Sequence, residues 1–129
     1  MMMMTPDLPL LRKVIDHITA HPEQHDQKFW LKTTECGTVA CVAGWTCLLN
    51  GDEPDERVAY GNHTASVIPA DAPNPDARSI AYSSSVPERA KELLGLTPKE
   101  ADALFDEDAT FNDVLSVCHD IAARAGEEW

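Results

Sequence analysis

Apolar residues near the start of the chain recur every three or four positions, which is the spacing of one face of an α-helix. The residues of this face are Leu8, Leu11, Val14, Ile15 and Ile18. Residues 5–7, Thr-Pro-Asp, are typical of a helix start, and Pro22 marks its end because the residue before a proline avoids helical angles. A short second helix or turn is predicted over residues 27–31.

The next apolar segment, residues 39–49, carries almost no charge on any side and therefore predicts a helix buried in the middle of the fold. Thr38 is the predicted N-cap, and residues 50–51, Asn-Gly, are a typical stop signal. Three small residues lie along one side of this segment and would let a neighbouring backbone approach closely: Ala40, Gly44 and Cys47.

Residues 51–85 show no helical period and contain four prolines. Long segments of this kind are uncommon in compact domains unless they are functional or disordered. We therefore predict an irregular insertion or, alternatively, a short hairpin. In the hairpin, Val67 and Ile68 would pair with residues 80–82 around a turn at residues 73–75.

Helical signals return after residue 85. Residues 85–88 and 97–100 both have the spacing of a capping box, and Gly95 is a typical helix end between them. Thr110 is the predicted cap of a last helix, which Gly126 ends. The sequence thus predicts a mainly α fold: one compact domain, residues 1–129, of five to six helices around the segment 39–49. Residues 51–85 would be an insertion, and residues 1–4 are expected to be disordered.

Composition and charge narrow the function classes. The chain has 129 residues, 43% of them apolar, and a formal net charge of −12. This balance lacks the Lys/Arg surplus that neutralises phosphates, which works against direct binding to nucleic acid or to anionic membranes. No apolar run is long enough to cross a bilayer, and no secretory signal is recognised, so the expected location is the cytoplasm.

The acidity is concentrated in the second part of the chain. Residues 1–50 hold five carboxylates and four Lys/Arg side chains, whereas residues 51–129 hold 17 and six. This asymmetry predicts that a basic partner would meet the C-terminal side, with Asp106, Glu107 and Asp108 as contact residues. A DNA mimic that inhibits DNA-binding enzymes is an alternative interpretation of the same charge.

Cys36 is the candidate for chemistry. It precedes a predicted helix N-terminus, where the helix dipole favours a thiolate, and a thiol-dependent enzyme with a histidine base is therefore an alternative function. The competing interpretation is that Cys36 and Cys41 are small packing residues. No metal site is predicted, because the cysteine spacings are not those of usual zinc pairs and Pro22 interrupts the histidines of residues 17–25. No cofactor is expected.

Residues 30–45 form a distinctive block in which a tryptophan is followed, after five other residues, by a Cys-Gly-Thr segment. The block is predicted to be structural, and its members are Trp30, Cys36, Gly37, Thr38, Ala40, Cys41, Gly44 and Trp45. A Leu-Leu-Gly-Leu block follows at residues 93–96. With these blocks the chain resembles small proteins of actinobacteria and their phages over residues 24–51 and 86–105. The resemblance implies an accessory, phage-type setting in which small proteins often act by binding a host protein.

These observations together predict a small acidic accessory protein that acts non-enzymatically by binding a protein partner. The resemblance implies that this partner is a host protein and that the protein works in the host cytoplasm if it is phage-encoded. The oligomeric state is not predicted.

Overall fold

The computed structural model describes residues 5–35, 37–71 and 83–129. Over these residues the protein has an α+β fold, with five α-helices and two three-stranded antiparallel sheets. The prediction of a mainly α fold is therefore wrong. The predictions for residues 1–4, for Cys36 and for residues 80–82 lie outside the described residues.

The helices begin and end mostly where capping chemistry indicates. They are α1 (Leu8–Ala20), α2 (Val42–Leu49), α3 (Val86–Leu94), α4 (Pro98–Leu104) and α5 (Phe111–Arg124). The side chains of Ser85, Thr97 and Thr110 each accept a hydrogen bond from the backbone N–H three residues later. Gly95 ends α3 in the left-handed conformation, at φ +65°. The cap of α1 is Asp7 rather than Thr5.

The strands form two small sheets, and in each sheet one pair of neighbouring strands is not consecutive in the chain. They are β1 (Leu31–Thr34), β2 (Gly37–Ala40), β3 (Glu53–Pro54), β4 (His63–Thr64), β5 (Ser66–Ile68) and β6 (Ser84–Ser85). The first sheet has the order β2-β1-β4 and the second the order β3-β5-β6. In the first sheet Leu31 lies opposite both Ala40 and Thr64, so β1 is the central strand.

The predicted helix over residues 39–49 is wrong at its start. Residues 37–40 form β2, and α2 begins only at Val42, with Cys41 as its N-cap in place of Thr38. The strand and the helix are both apolar and no turn residue separates them, so the pattern of apolar residues cannot show the change. The predicted burial is confirmed, because residues 42–47 are all buried.

The predicted irregular insertion over residues 51–85 is also wrong for its described part. This part supplies β3, β4, β5 and β6, and the strand that the hairpin alternative predicts at Val67 and Ile68 is present as β5. Its partners are β3 and β6, with Val67 opposite Pro54 and Ser84. Each of these strands is only two or three residues long, too short for alternation of apolar and polar residues to predict it.

The core lies among the helices, with Leu31 and Ala40 from the first sheet and Val67 from the second packed into it. Helix α2 packs against α3 and α1, and α5 packs against α4. The face predicted for α1 is buried at all five of its positions. Among the described residues, no helix combines the length and the apolar character needed to cross a membrane.

Candidate interaction surface

The backbone of Trp30 is fixed from two sides. Its N–H donates a hydrogen bond to Nε2 of His63, at 3.3 Å. Its carbonyl packs against Gly44 in α2, where an added Cβ would overlap the carbonyl oxygen. The predicted close approach of a backbone to the small side of α2 is therefore confirmed at Gly44, and residue 30 is held in one place.

Trp30 is one of the residues that line a surface groove of about 210 Å³ between α3 and α4; we name it the Trp30 groove. Its apolar lining includes Pro87 from the first turn of α3 and Pro98 from the first turn of α4, and the buried side chain of Phe105 lies at its base, 6% exposed. Ligand pockets for small molecules usually measure roughly 300–1,000 Å³. The Trp30 groove is smaller, so its size suits one or two inserted side chains better than an enclosed metabolite.

Two tryptophans of this region differ in their polar end. The indole N–H of Trp45 donates to the carbonyl of Gln24 at 2.8 Å, and the residue is 8% exposed. The indole N–H of Trp30 has no hydrogen-bond partner among the described residues. No polar side-chain atom of those residues is buried without a partner, so this N–H is accessible to solvent. A donor of this kind is free to bond a ligand.

Charged residues border the Trp30 groove. Glu88 and Asp102 are exposed, and Lys91 is half-buried. The predicted contact residues Asp106, Glu107 and Asp108 follow Phe105 directly and are all exposed; we name them the acidic bend. Consecutive Cα atoms are about 3.8 Å apart, so the bend lies within about 11 Å of Phe105. The acidic bend thus lies close to the groove, and the two together carry an excess of carboxylates.

Gln27 holds one end of this surface in place. Its buried side-chain amide donates to the carbonyls of Leu104 and Asp106, at 3.1 Å each. Its side-chain oxygen accepts from the N–H of Val42, the first residue of α2, at 3.0 Å. One side chain therefore joins the start of α2 to the end of α4. No local pattern predicts this role of Gln27, because its partners lie 77 and 79 positions away in the chain.

The acidic bend has a defined backbone. The N–H of Asp108 donates to Oδ1 of Asp106 at 2.9 Å, which is a local turn typical of Asp. The bend ends at Thr110, the N-cap of α5. The Thr110 side chain accepts from the N–H of Asp113, and the Asp113 side chain accepts from the N–H of Thr110. Its carboxylates are thus presented from an ordered segment.

Of the other described residues of the distinctive block, Ala40, Cys41, Gly44 and Trp45 are buried, Thr38 is half-buried and Gly37 is exposed. Gly37, Thr38 and Ala40 belong to β2, and Cys41 caps α2 through its sulfur, which accepts from the N–H of Gly44 at 3.5 Å. The ring of Trp45 stacks against His17, with 4.2 Å between centroids. Cys36 lies outside the described residues, so the structure says nothing of the proposed thiol chemistry.

The three described thiols are buried at Cys41, Cys47 and Cys118. Burial raises the pKa of Cys41 to about 11 and that of Cys118 to about 12, and it raises the pKa of Cys47 still further. These thiols are protonated at neutral pH and are poor nucleophiles.

The histidines of residues 17–25 do not converge. His17 and His21 lie with ring centroids 4.9 Å apart, but His25 instead approaches the side chain of Gln27, with 3.0 Å between Nε2 and Oε1. Within the described residues, no three His, Cys, Asp or Glu side chains form a group that could hold a metal ion.

Two buried carboxylates were not singled out by the sequence. Asp52 accepts from the Arg89 guanidinium, at 2.8 and 3.2 Å, and from the N–H of Ala70 at 2.8 Å. Asp55 accepts from the Arg57 guanidinium, and this bond is the main cause that lowers the pKa of Asp55 to about 2. Hydrogen bonds from Ser83 and from the Arg57 N–H act in the same direction. Both carboxylates have their hydrogen bonds satisfied within the fold, which is typical of a structural role.

A second cavity, of about 270 Å³, lies between β1, β4 and the segment before β4. Its polar side chains are partly engaged: Asn62 donates to the carbonyl of Thr33, and Thr64 donates to that of Asp55. Tyr60 projects from the neighbouring turn and is 91% exposed. This turn is therefore a second exposed surface, with the 40% exposed Val58 two residues before Tyr60.

In comparisons with known proteins, no family model, curated protein or solved structure matches this chain.

Proposed function

We propose that this protein acts by binding a protein partner, without catalysing a reaction, through the Trp30 groove and the acidic bend. The observation that carries the proposal is a surface groove that Trp30, Pro87 and Pro98 line and that Glu88 and Asp102 border, next in the chain to the exposed carboxylates of the acidic bend. Protein interfaces commonly have this arrangement, in which a central aromatic anchor is surrounded by a polar rim.

The charge of the surface favours a basic partner. The acidic bend, Glu88 and Asp102 attract Lys and Arg side chains, and complementary charge speeds association and fixes orientation. The same carboxylates repel phosphates, which supports a protein partner over a nucleic acid. The resemblance to actinobacterial and phage proteins favours a host protein in the cytoplasm, and this part of the proposal rests on the resemblance alone.

The test compares immobilised variants of the chain as baits in an actinobacterial lysate. The first variant, Glu107→Lys with Asp108→Lys, reverses two charges of the acidic bend. The control, Asp16→Lys with Asp120→Lys, reverses two exposed charges on α1 and α5. A third bait, Tyr60→Ala, removes the exposed aromatic of the other surface. Bound proteins are identified and quantified by mass spectrometry.

We expect at least one protein to be retained equally by the wild-type, control and Tyr60→Ala baits. The acidic-bend variant should retain about tenfold less of this protein, since two close charge pairs contribute on the order of 1–2 kcal/mol to binding. Equal retention by the acidic-bend variant, or loss with Tyr60→Ala alone, would overturn the assignment of the surface. If none of the baits retains a protein, the proposed function is overturned.

A further inference from the structure

We propose that His63 is a pH-dependent support of Trp30, so that protonation of one imidazole ring releases the backbone of a residue that lines the Trp30 groove. The observation behind it is a hydrogen bond of 3.3 Å that runs from the backbone N–H of Trp30 to Nε2 of His63. The device belongs to the chain alone, and its test needs no partner.

The direction of this bond fixes which nitrogen of His63 carries the proton. A backbone N–H can only donate, so Nε2 must offer its lone pair. In the neutral ring the proton therefore lies on Nδ1. A second proton can be added only at Nε2, and the nitrogen that accepted the bond then becomes a donor. The protonated ring and the N–H of Trp30 cannot form this bond.

His25 has the opposite arrangement. Its Nε2 lies 3.0 Å from Oε1 of Gln27. The amide nitrogen of Gln27 donates to two backbone carbonyls, so the oxygen is the atom that faces His25. Nε2 of His25 thus donates in the neutral ring and still donates when the ring is protonated. Protonation of His25 keeps its bond, whereas protonation of His63 breaks the bond to Trp30.

The elements around His63 contribute a lysine, a glutamate and a tyrosine. Lys32 lies opposite His63 in β1, and its ammonium is 4.2 Å from the centre of the Phe29 ring, which meets the His63 ring at 5.6 Å between centroids. Glu56 lines the same cavity as His63, and the backbone of Tyr60 exchanges two hydrogen bonds with that of His63. Histidine ordinarily changes its charge between pH 5 and 8, whereas amino, carboxyl and phenol groups do so outside this range. His63 is therefore the group of this set that responds near neutral pH.

Loss of the bond acts on the groove through the backbone of Trp30. The N–H of Trp30 is bonded to His63, and its carbonyl packs against Gly44. Protonation removes the first contact and leaves the second. Because Trp30 lines the groove, a partner bound there would be held more weakly at mildly acidic pH, a consequence that rests on the proposed function.

The experiment follows the ¹⁵N-labelled protein by NMR from pH 8 to pH 5. The nitrogen shifts of the His63 ring show which nitrogen holds the proton, and the carbon-bound protons of the ring give the midpoint of its titration. The backbone amide signal of Trp30 reports the hydrogen bond. The indole signal of Trp30, which is absent in Trp30→Phe, reports its side chain.

Two variants separate this device from other titrations. His63→Gln keeps an acceptor oxygen for the N–H of Trp30 but does not titrate. His119→Gln is the matched control, because it removes an exposed histidine on α5.

We expect Nδ1 of His63 to carry the proton at pH 8. As the pH falls, the amide and indole signals of Trp30 should move with the midpoint of the His63 ring. The protection of this amide against hydrogen exchange should fall about three- to tenfold, as the loss of one hydrogen bond implies. His119→Gln should show the same changes, and His63→Gln should show none of them.

A proton on Nε2 of His63 at pH 8 would overturn the proposal, as would a Trp30 amide signal that does not follow the titration of His63. A wild-type response of Trp30 in the His63→Gln variant would overturn it as well. These results would leave partner binding standing, because the bait comparison involves no change of pH. Baits that retain no protein, together with the expected titration, would instead remove the proposed function and leave the response of Trp30 to pH in place.

Discussion

The carbonyl oxygen of Trp30 occupies the space that a Cβ of residue 44 would take. The contact joins the wall of the Trp30 groove to α2, which is the most buried helix of the fold. Its consequence is that the position of the groove and the packing of the core depend on the same glycine.

Replacing that glycine tests this dependence. We expect Gly44→Ala to lower the free energy of unfolding by about 1–3 kcal/mol, as overpacking of a core usually does. It should also move the indole signal of Trp30, because the backbone of residue 30 must shift. The control is Gly126→Ala, where a Cβ meets nothing within 4 Å and only the positive φ opposes the change. An unmoved Trp30 signal in Gly44→Ala would contradict the account.

The second prediction concerns Gln27. Replacing Gln27 with Leu leaves two carbonyls and the N–H of Val42 without its side-chain bonds. We expect a loss of about 2–4 kcal/mol in urea denaturation, because each unsatisfied buried group costs about 1–3 kcal/mol and part of this is recovered by solvent. Gln24→Leu, which removes only the side-chain contact to His17, should cost clearly less. Equal costs would show that Gln27 does not join α2 to α4.

Capping residues were the most informative part of the sequence. Thr97, Thr110 and Gly95 were placed correctly because each acts on backbone groups within a few residues of itself. The strands were missed for two reasons. Most are two or three residues long, and β2 continues without a turn residue into the apolar start of α2.

The candidate surface was only partly predictable. Charge alone singles out the residues of the acidic bend, whereas the distinctive block predicts only a structural role for Trp30. The groove was not found, because Pro87, Pro98 and Phe105 meet beside Trp30 only through tertiary packing. In the sequence Pro98 belongs to a predicted helix start, and no periodicity relates Pro87 or Pro98 to residue 30.

Acid stability tests the ion pair of Asp55. The bond from Arg57 holds the pKa of Asp55 at about 2 in the folded protein, below the ordinary 3.8. The folded state therefore binds fewer protons, so the stability from this carboxylate is present above about pH 4 and is lost as the pH falls toward 2. We expect Asp55→Asn to be less stable at pH 6 and to lose less stability than wild type between pH 4 and 2. Urea denaturation at each pH measures this, and Asp120→Asn should keep the wild-type slope. An Asp55→Asn slope as steep as that of wild type would contradict the ion pair.

Thiol reactivity tests the burial of three cysteines. At pH 8 the native protein should leave Cys41, Cys47 and Cys118 unmodified by iodoacetamide, because burial raises the pKa of each thiol. In urea all three should react, as peptide mapping by mass spectrometry will show. Modification of Cys41 before unfolding would show that the cap of α2 is open. Fast, selective modification of Cys36 would instead favour the thiol-enzyme hypothesis.

Deletion of residues 62–82 tests whether this segment is part of the fold. The deletion removes β4 and β5, and it removes the Ala70 N–H that bonds to the buried Asp52. We expect loss of the cooperative unfolding transition, measured by circular dichroism against temperature. An intact helical spectrum with a normal transition would show that the segment is a dispensable insertion.

The central claim is that a protein partner contacts the Trp30 groove. Its most direct test is the indole Nε1–H signal of Trp30, followed by NMR while the partner retained by the wild-type bait is added. The account predicts that this signal and the amide signals of residues 106–108 shift together, while the indole signal of Trp45 does not. Shifts confined to the turn around Tyr60, with the Trp30 signal unchanged, would contradict it.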